Sequence, residues 1–140
     1  MSKVMTKDDM QAMLSASPYN GFLGLEVVEV DPEKQELVMR QPWRAELERG
    51  TGGGQFHGGI IAALIDTAGH YACMMMLGSP LPTINFRTDY LRPAVNTALT
   101  ARARVWRIGR SISIADVEVL DDAGKTVALG RANYATPKPG

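Results

Sequence analysis

Polar and apolar positions alternate with period two through the second half of the chain. Over residues 83–91, Ile84, Phe86, Thr88 and Tyr90 fall on one side and Asn85, Arg87 and Asp89 on the other, which predicts a strand. The alternation returns over 99–105, 112–120 and 126–134, with turn sequences at Gly109-Arg110-Ser111 and Asp121-Asp122-Ala123-Gly124. Four successive strands joined by tight turns predict an antiparallel meander. Upstream, 25–30 and 36–40 read as two further strands around an Asp31-Pro32-Glu33 turn. Residues 58–77 break the period: they are apolar on nearly every side, so they predict a long buried helix and not a surface one. A shorter helix is predicted over 6–16, with Thr6 as cap, Asp8 and Asp9 in the first turn and Met10, Met13 and Leu14 on its apolar side. A turn around 17–21 follows. About six strands and one buried helix fit an α+β domain in which a strongly curved antiparallel sheet wraps around the helix. That domain is expected to span 19–136, after an N-terminal helix and lead-in over 1–18 and before a loose tail at 137–140.

Composition narrows the function classes. The 140 residues are 45% hydrophobic and 21% charged, ordinary for one globular domain. Fifteen basic residues balance fifteen acidic ones, so a chain that coats nucleic acid is not expected. One cysteine, Cys73, and two histidines, His57 and His70, are too few for an internal disulfide or a cysteine zinc site. The first nine residues are polar and acidic, with no apolar stretch of a secretory signal, so a cytoplasmic protein is expected. The apolar run after Gly59 is interrupted by Asp66, Gly69 and His70, which argues against a membrane span.

The densest chemical signal is Gly52-Gly53-Gly54-Gln55-Phe56-His57-Gly58-Gly59, leading into the long helix. No Walker-type phosphate loop, dinucleotide fingerprint or serine elbow matches it. What remains is a glycine-rich helix N-terminus, whose first amides lack intrahelical acceptors and carry partial positive charge. Such amides suit a carbonyl that gains negative charge; the plainer reading is a flexible loop that starts a helix. Asp66 is the only formal charge between Gly58 and Leu77. Its neighbours at helical spacing are Gly59, Ala62, Ala63, Gly69, His70 and Cys73. This small-residue face makes Asp66 a candidate base, the other reading being a structural aspartate bonded to His70 or to a backbone amide. His57 either bonds backbone at the helix start or helps hold a substrate carbonyl. Cys73 and Met74 to Met76 read as core.

The run His57-Gly58-Gly59, then Leu64, Asp66, Thr67 and Ala68, followed by Asp89-Tyr90-Leu91-Arg92-Pro93-Ala94 and Gly109-Arg110, resembles the hotdog-fold acyl-CoA thioesterases. Among them it is similar to the phenylacetic-acid-pathway (phenylacetyl-CoA) branch, over roughly residues 20–135. The resemblance implies a helix wrapped by an antiparallel sheet. It implies Asp66 as the catalytic acid, Gly58 as the residue whose amide polarises the thioester carbonyl, and His57 beside that carbonyl. Thr83 falls where some relatives carry a serine that orients the attacking water. Many relatives carry asparagine or glutamine six residues before the histidine; here that position is Thr51, and Gln55 is the candidate replacement. Gly59 and His70 join the candidate substrate contacts. The implied substrate is an aryl- or medium-chain acyl-CoA, with no separate cofactor and no metal.

Between Arg87 and Arg110 there are six arginines against one acid, Asp89, whereas residues 1–48 carry nine acids against five bases. Arginine forks suit phosphate oxygens. Arg92, Arg107 and Arg110, which flank turns, and Gly109 between the last two, are therefore the candidates for the coenzyme A moiety; Arg102 and Arg104 alternate along a strand and read as a solvated face.

Gly58 and Asp66 lie eight residues apart, about 12 Å along one helix. An oxyanion donor must stand about 3 Å from the oxygen, and a base must reach the same carbon directly or through one water. One chain does not readily offer both to one thioester. Two helices antiparallel across a two-fold axis would, giving a homodimer with two composite sites; the resemblance implies the same, and a dimer of dimers. Asp66 would activate water or attack the carbonyl itself. The alternatives to hydrolysis are a non-catalytic acyl-CoA-binding or regulatory domain, which would not need Asp66, and a dehydratase or hydratase, which the His-Gly-Gly helix start fits poorly.

Overall fold

The computed structural model of the chain describes residues 5–139. Residues 1–4, the start of the expected lead-in, and Gly140, the end of the expected tail, lie outside the described residues.

Helix α1 spans Lys7–Ala16. Thr6 accepts the Asp9 N–H while the Asp9 carboxylate accepts the Thr6 N–H, a reciprocal cap. Its Met10 and Leu14 are fully buried, contributing roughly 1.5–3 kcal/mol each. The segment expected as a turn is instead a second helix, α2, Pro18–Leu23. Pro18 at its first position loses no hydrogen bond there, and its fixed φ already suits a helix.

The strands are β1 Glu26–Asp31, β2 Glu36–Gln41, β3 Thr83–Tyr90, β4 Leu99–Ile108, β5 Ile112–Leu120 and β6 Thr126–Ala135. They form one sheet in the order β1-β2-β4-β5-β6-β3, antiparallel at every pair. The expected four-strand meander is thus three strands, β4 to β6. β3 does not pair with β4 but crosses to the far edge beside β6. The connection between β3 and β4 explains this. It contains Pro93 and is no tight turn, and its backbone is engaged elsewhere: Ala94 C=O accepts the Phe56 N–H and Asn96 N–H bonds Gly54 C=O.

Helix α3 spans Gly58–Leu77, and the sheet curls around it. Ile61, Leu64, Ile65, Ala68 and Ala72 are buried in one cluster with Leu37, Met39, Ala101, Ala103, Ala115, Val117, Ala128 and Ala132. The alanines of the strands let the helix approach closely, and Gly130 carries this to the limit, since a Cβ there would stand 2.6 Å from Ile65 Cγ2. α3 is also the one described helix long and apolar enough to suit a bilayer; here its apolar side is the domain core. Burial is not all round, as its composition had suggested. Gly59, Ala62, Ala63, Asp66, Thr67 and His70 form a stripe that the sheet leaves partly uncovered.

Candidate active site

The site residues gather at two places on α3. At its N-terminus, His57 is the capping residue: its Nδ1 accepts the Gly59 N–H at 2.9 Å. That bond fixes the neutral tautomer with hydrogen on Nε2 and leaves Nε2–H as a donor on the exposed ring. The Gly59 amide is therefore engaged, whereas no described residue accepts the Gly58 N–H. Tyr90, from the end of β3, donates to the Gly58 carbonyl at 2.6 Å and so ties the first turn of the helix to β3. The glycine-rich loop ahead is closed by Glu48, whose two carboxylate oxygens accept the Gly52 and Gly54 amides at 2.7 and 3.2 Å. Those amides are thus not open to a ligand. Gln55 is half-buried in this loop; its carbonyl accepts the Arg49 N–H and it bridges to Val95.

Two turns further along α3, the Asp66 carboxylate is half-exposed and accepts the Thr83 hydroxyl at 2.9 Å. Thr83 reaches it through an irregularity. β3 shifts register between Thr83 and Asn85, with Thr83 opposite Tyr134 of β6 and Asn85 opposite Asn133. Strict alternation would group Thr83 with Asn85, Arg87 and Asp89, on the side away from the helix; a bulge re-aims it. No cation among the described residues pairs with Asp66.

His70 lies one turn beyond Asp66, but its Nε2 accepts the Leu81 N–H at 3.0 Å. Burial lowers its pKa, outweighing the Asp66 charge that raises it, so the ring is neutral at pH 7 and leaves the aspartate unneutralised. The Tyr134 hydroxyl donates to the Asp66 backbone carbonyl at 2.6 Å. Burial first, and the Asp66 charge next, push the Tyr134 phenol well above its ordinary value, so it stays a donor. Cys73 is fully buried, with its thiol pushed up to about 12 by burial, and belongs to the core.

The arginine candidates are split. Arg92 follows β3 at the Tyr90 and Gly58 end, where its N–H bonds Val127 C=O. Arg107, Gly109 and Arg110 are at the other end of the sheet. There the Gly109 N–H bonds Ile112 C=O, and Ser111 C=O accepts the Thr136 N–H next to the Thr83 end of β3. Seven strand steps of about 3.3 Å, roughly 23 Å, separate the two ends of β3. All three arginines are exposed. A concavity of about 1090 Å³ lies on the outer sheet face among charges such as Arg104, Asp116 and Arg131, and no predicted site residue lines it. A single chain therefore brings Asp66 to Thr83 and His57 to Gly58, but does not bring the two pairs together. Tyr90, Tyr134 and Glu48 were not among the expected site residues. Tyr90 stood in the sequence as a period-two neighbour of Phe86 and Thr88; the other two carried no local signal.

The thioesterase superfamily model matches residues 53–128, from the glycine loop into β6. This chain belongs to the thioesterase superfamily. Its fold is the hotdog fold, and its class of chemistry is thioester hydrolysis. A Halobacterium salinarum protein that carries the name esterase is 39% identical over 81% of this chain and 80% of its own length. The medium/long-chain acyl-CoA thioesterase YigI of Escherichia coli is 26% identical over 96% and 98%. The acyl-coenzyme A thioesterase PaaI of Escherichia coli is 38% identical over 54% of each chain. Its solved structure superposes with a TM-score of 0.80 over 96% of both chains at 27% identity.

Proposed function

We propose that this superfamily member hydrolyses the thioester of an aryl- or medium-chain acyl-CoA at a site composed by two subunits. The Gly58 N–H, joined by His57 Nε2–H, holds the carbonyl oxygen as it becomes an oxyanion. Asp66 of the opposing subunit takes a proton from water through Oδ2, its Oδ1 being occupied by Thr83. The water oxygen bonds the carbonyl carbon, the carbon–sulfur bond breaks, and the departing sulfur leaves as the coenzyme A thiol with the proton returned from Asp66. Thr83 fixes the carboxylate that aims the water. Arg92 from one subunit and Arg107 and Arg110 from the other suit the phosphates, since the opposed subunits would bring opposite sheet ends to one site. Gln55, Gly59, His70 and Gly109 line or shape the substrate path, and no cofactor or metal takes part.

The observation that carries this reading is the Asp66 carboxylate, hydrogen-bonded by Thr83 at 2.9 Å and without a cationic partner among the described residues. Support for two subunits comes from the partly uncovered α3 stripe and from Ile84 and Phe86 exposed on edge strand β3. An exposed edge strand is a ready template for pairing with a second copy. The test is a panel of phenylacetyl-, octanoyl- and longer acyl-CoAs followed with a thiol-trapping dye. Asp66→Asn should lower kcat about 10²- to 10⁴-fold. Tight binding of the panel without turnover by the unmodified protein would instead make it an acyl-CoA-binding protein.

A further inference from the structure

Tyr134 is fully buried on β6. A phenyl ring alone would fill that space, and a buried hydroxyl is costly unless bonded. Its hydroxyl stands at a particular place in α3. In a regular helix the Asp66 carbonyl takes the N–H of His70, four residues on. Here the Tyr134 hydroxyl also donates to that carbonyl, at 2.6 Å, and so ties the backbone of α3 at Asp66 to β6. Gly69 makes the room, because a Cβ there would stand 2.5 Å from the Tyr134 hydroxyl oxygen. Directly opposite Tyr134 in register is Thr83, whose hydroxyl holds the Asp66 carboxylate. One cross-strand pair thus grips one helical residue twice, at its backbone and at its side chain.

We propose that Tyr134 is a positioning residue for Asp66: its hydroxyl, bonded to the Asp66 carbonyl in the space left by Gly69, fixes the offset at which Thr83 meets the carboxylate. This rests on the reading of Asp66 as the base. Without the hydroxyl the Asp66 backbone loses its tie to β6, and the aspartate loses its fixed register with Thr83.

The test is a mutant cycle in the full chain, read as kcat and KM on whichever acyl-CoA the protein hydrolyses best, with melting temperature monitored. Tyr134→Phe should lower kcat about tenfold with KM within about twofold. Thr83→Ala should lower kcat in the unmodified background but add less than about twofold in the Tyr134→Phe background, because interacting positions are non-additive. Multiplicative losses, or a Tyr134→Phe kcat equal to that of the unmodified protein, would overturn the positioning role. Gly69→Ala, which pushes the hydroxyl away from the helix side, should reproduce the kcat loss, and it decides the matter if the phenylalanine variant does not fold. The Asp66→Asn control separates the two ideas: if it keeps full turnover, the base assignment fails, whereas an inactive Asp66→Asn beside a fully active Tyr134→Phe removes only the positioning role.

Discussion

At Gly58 the chemistry proposed belongs to a backbone group, so no side-chain deletion reaches it. Proline does. The first position of a helix tolerates proline, which lacks the N–H and is fixed near helical φ, and His57 before it already has the extended backbone that a following proline demands, φ −61° and ψ 136°. Gly58→Pro should therefore fold and keep α3 while kcat falls about 10²- to 10³-fold, the usual cost of one oxyanion donor; circular dichroism and turnover on the same sample check both halves. Single residues differ in how legible they are in sequence. The placement of His57, Gly58 and Asp66 was readable because one helix fixes their spacing. Thr83 was readable only through family resemblance, since the bulge after it reverses the side that period two assigns. Tyr134 and Glu48 were invisible. A phenol on a strand reads as core, and its bond to a carbonyl 68 residues away depends on how closely the sheet wraps the helix.

At the scale of elements, the C-terminal half of α3 is tied to the chain that leaves it through His70 and the Leu81 N–H. This bond needs an unprotonated Nε2. Burial holds the folded His70 pKa below the ordinary 6.5, so between that value and the folded one the unfolded chain binds more protons than the folded chain. The stability contributed is then fully present above about pH 6.5 and is lost as pH falls toward the folded pKa. Melting temperature should drop from pH 7.5 to 5.5, and His70→Gln, which cannot take up a proton, should flatten that drop; an equal slope in both proteins would remove His70 as its source. The strands were legible wherever alternation or a turn sequence marked them, as in the β4 to β6 meander. The placement of β3 was not. Its pairing with β6 follows from the connection at 91–98, which bonds the loop before α3 and carries the chain across the sheet, and no local pattern records a long-range crossing of this kind.

The whole molecule raises the question of how the proposed donor and base, two turns apart, would serve one carbonyl. α3 puts Gly58 and Asp66 about 12 Å apart. The α3 stripe from Gly59 to His70 is only partly buried, and β3 pairs on one side alone among the described strands. A two-fold partner laid along that stripe would run its own helix antiparallel and set its Gly58 against this Asp66. Subunit mixing tests this directly. Asp66→Asn and Gly58→Pro are each expected to be inactive as pure proteins. When they are unfolded and refolded together in equal amounts, half of the dimers are mixed. Each mixed dimer then holds one site with both groups intact and one with neither, so activity should return to about a quarter of the unmodified value. If donor and base belonged to the same chain, every site in every dimer would carry one lesion. The mixture would then stay as inactive as its components, and the composite site would be wrong even if each residue's role were right.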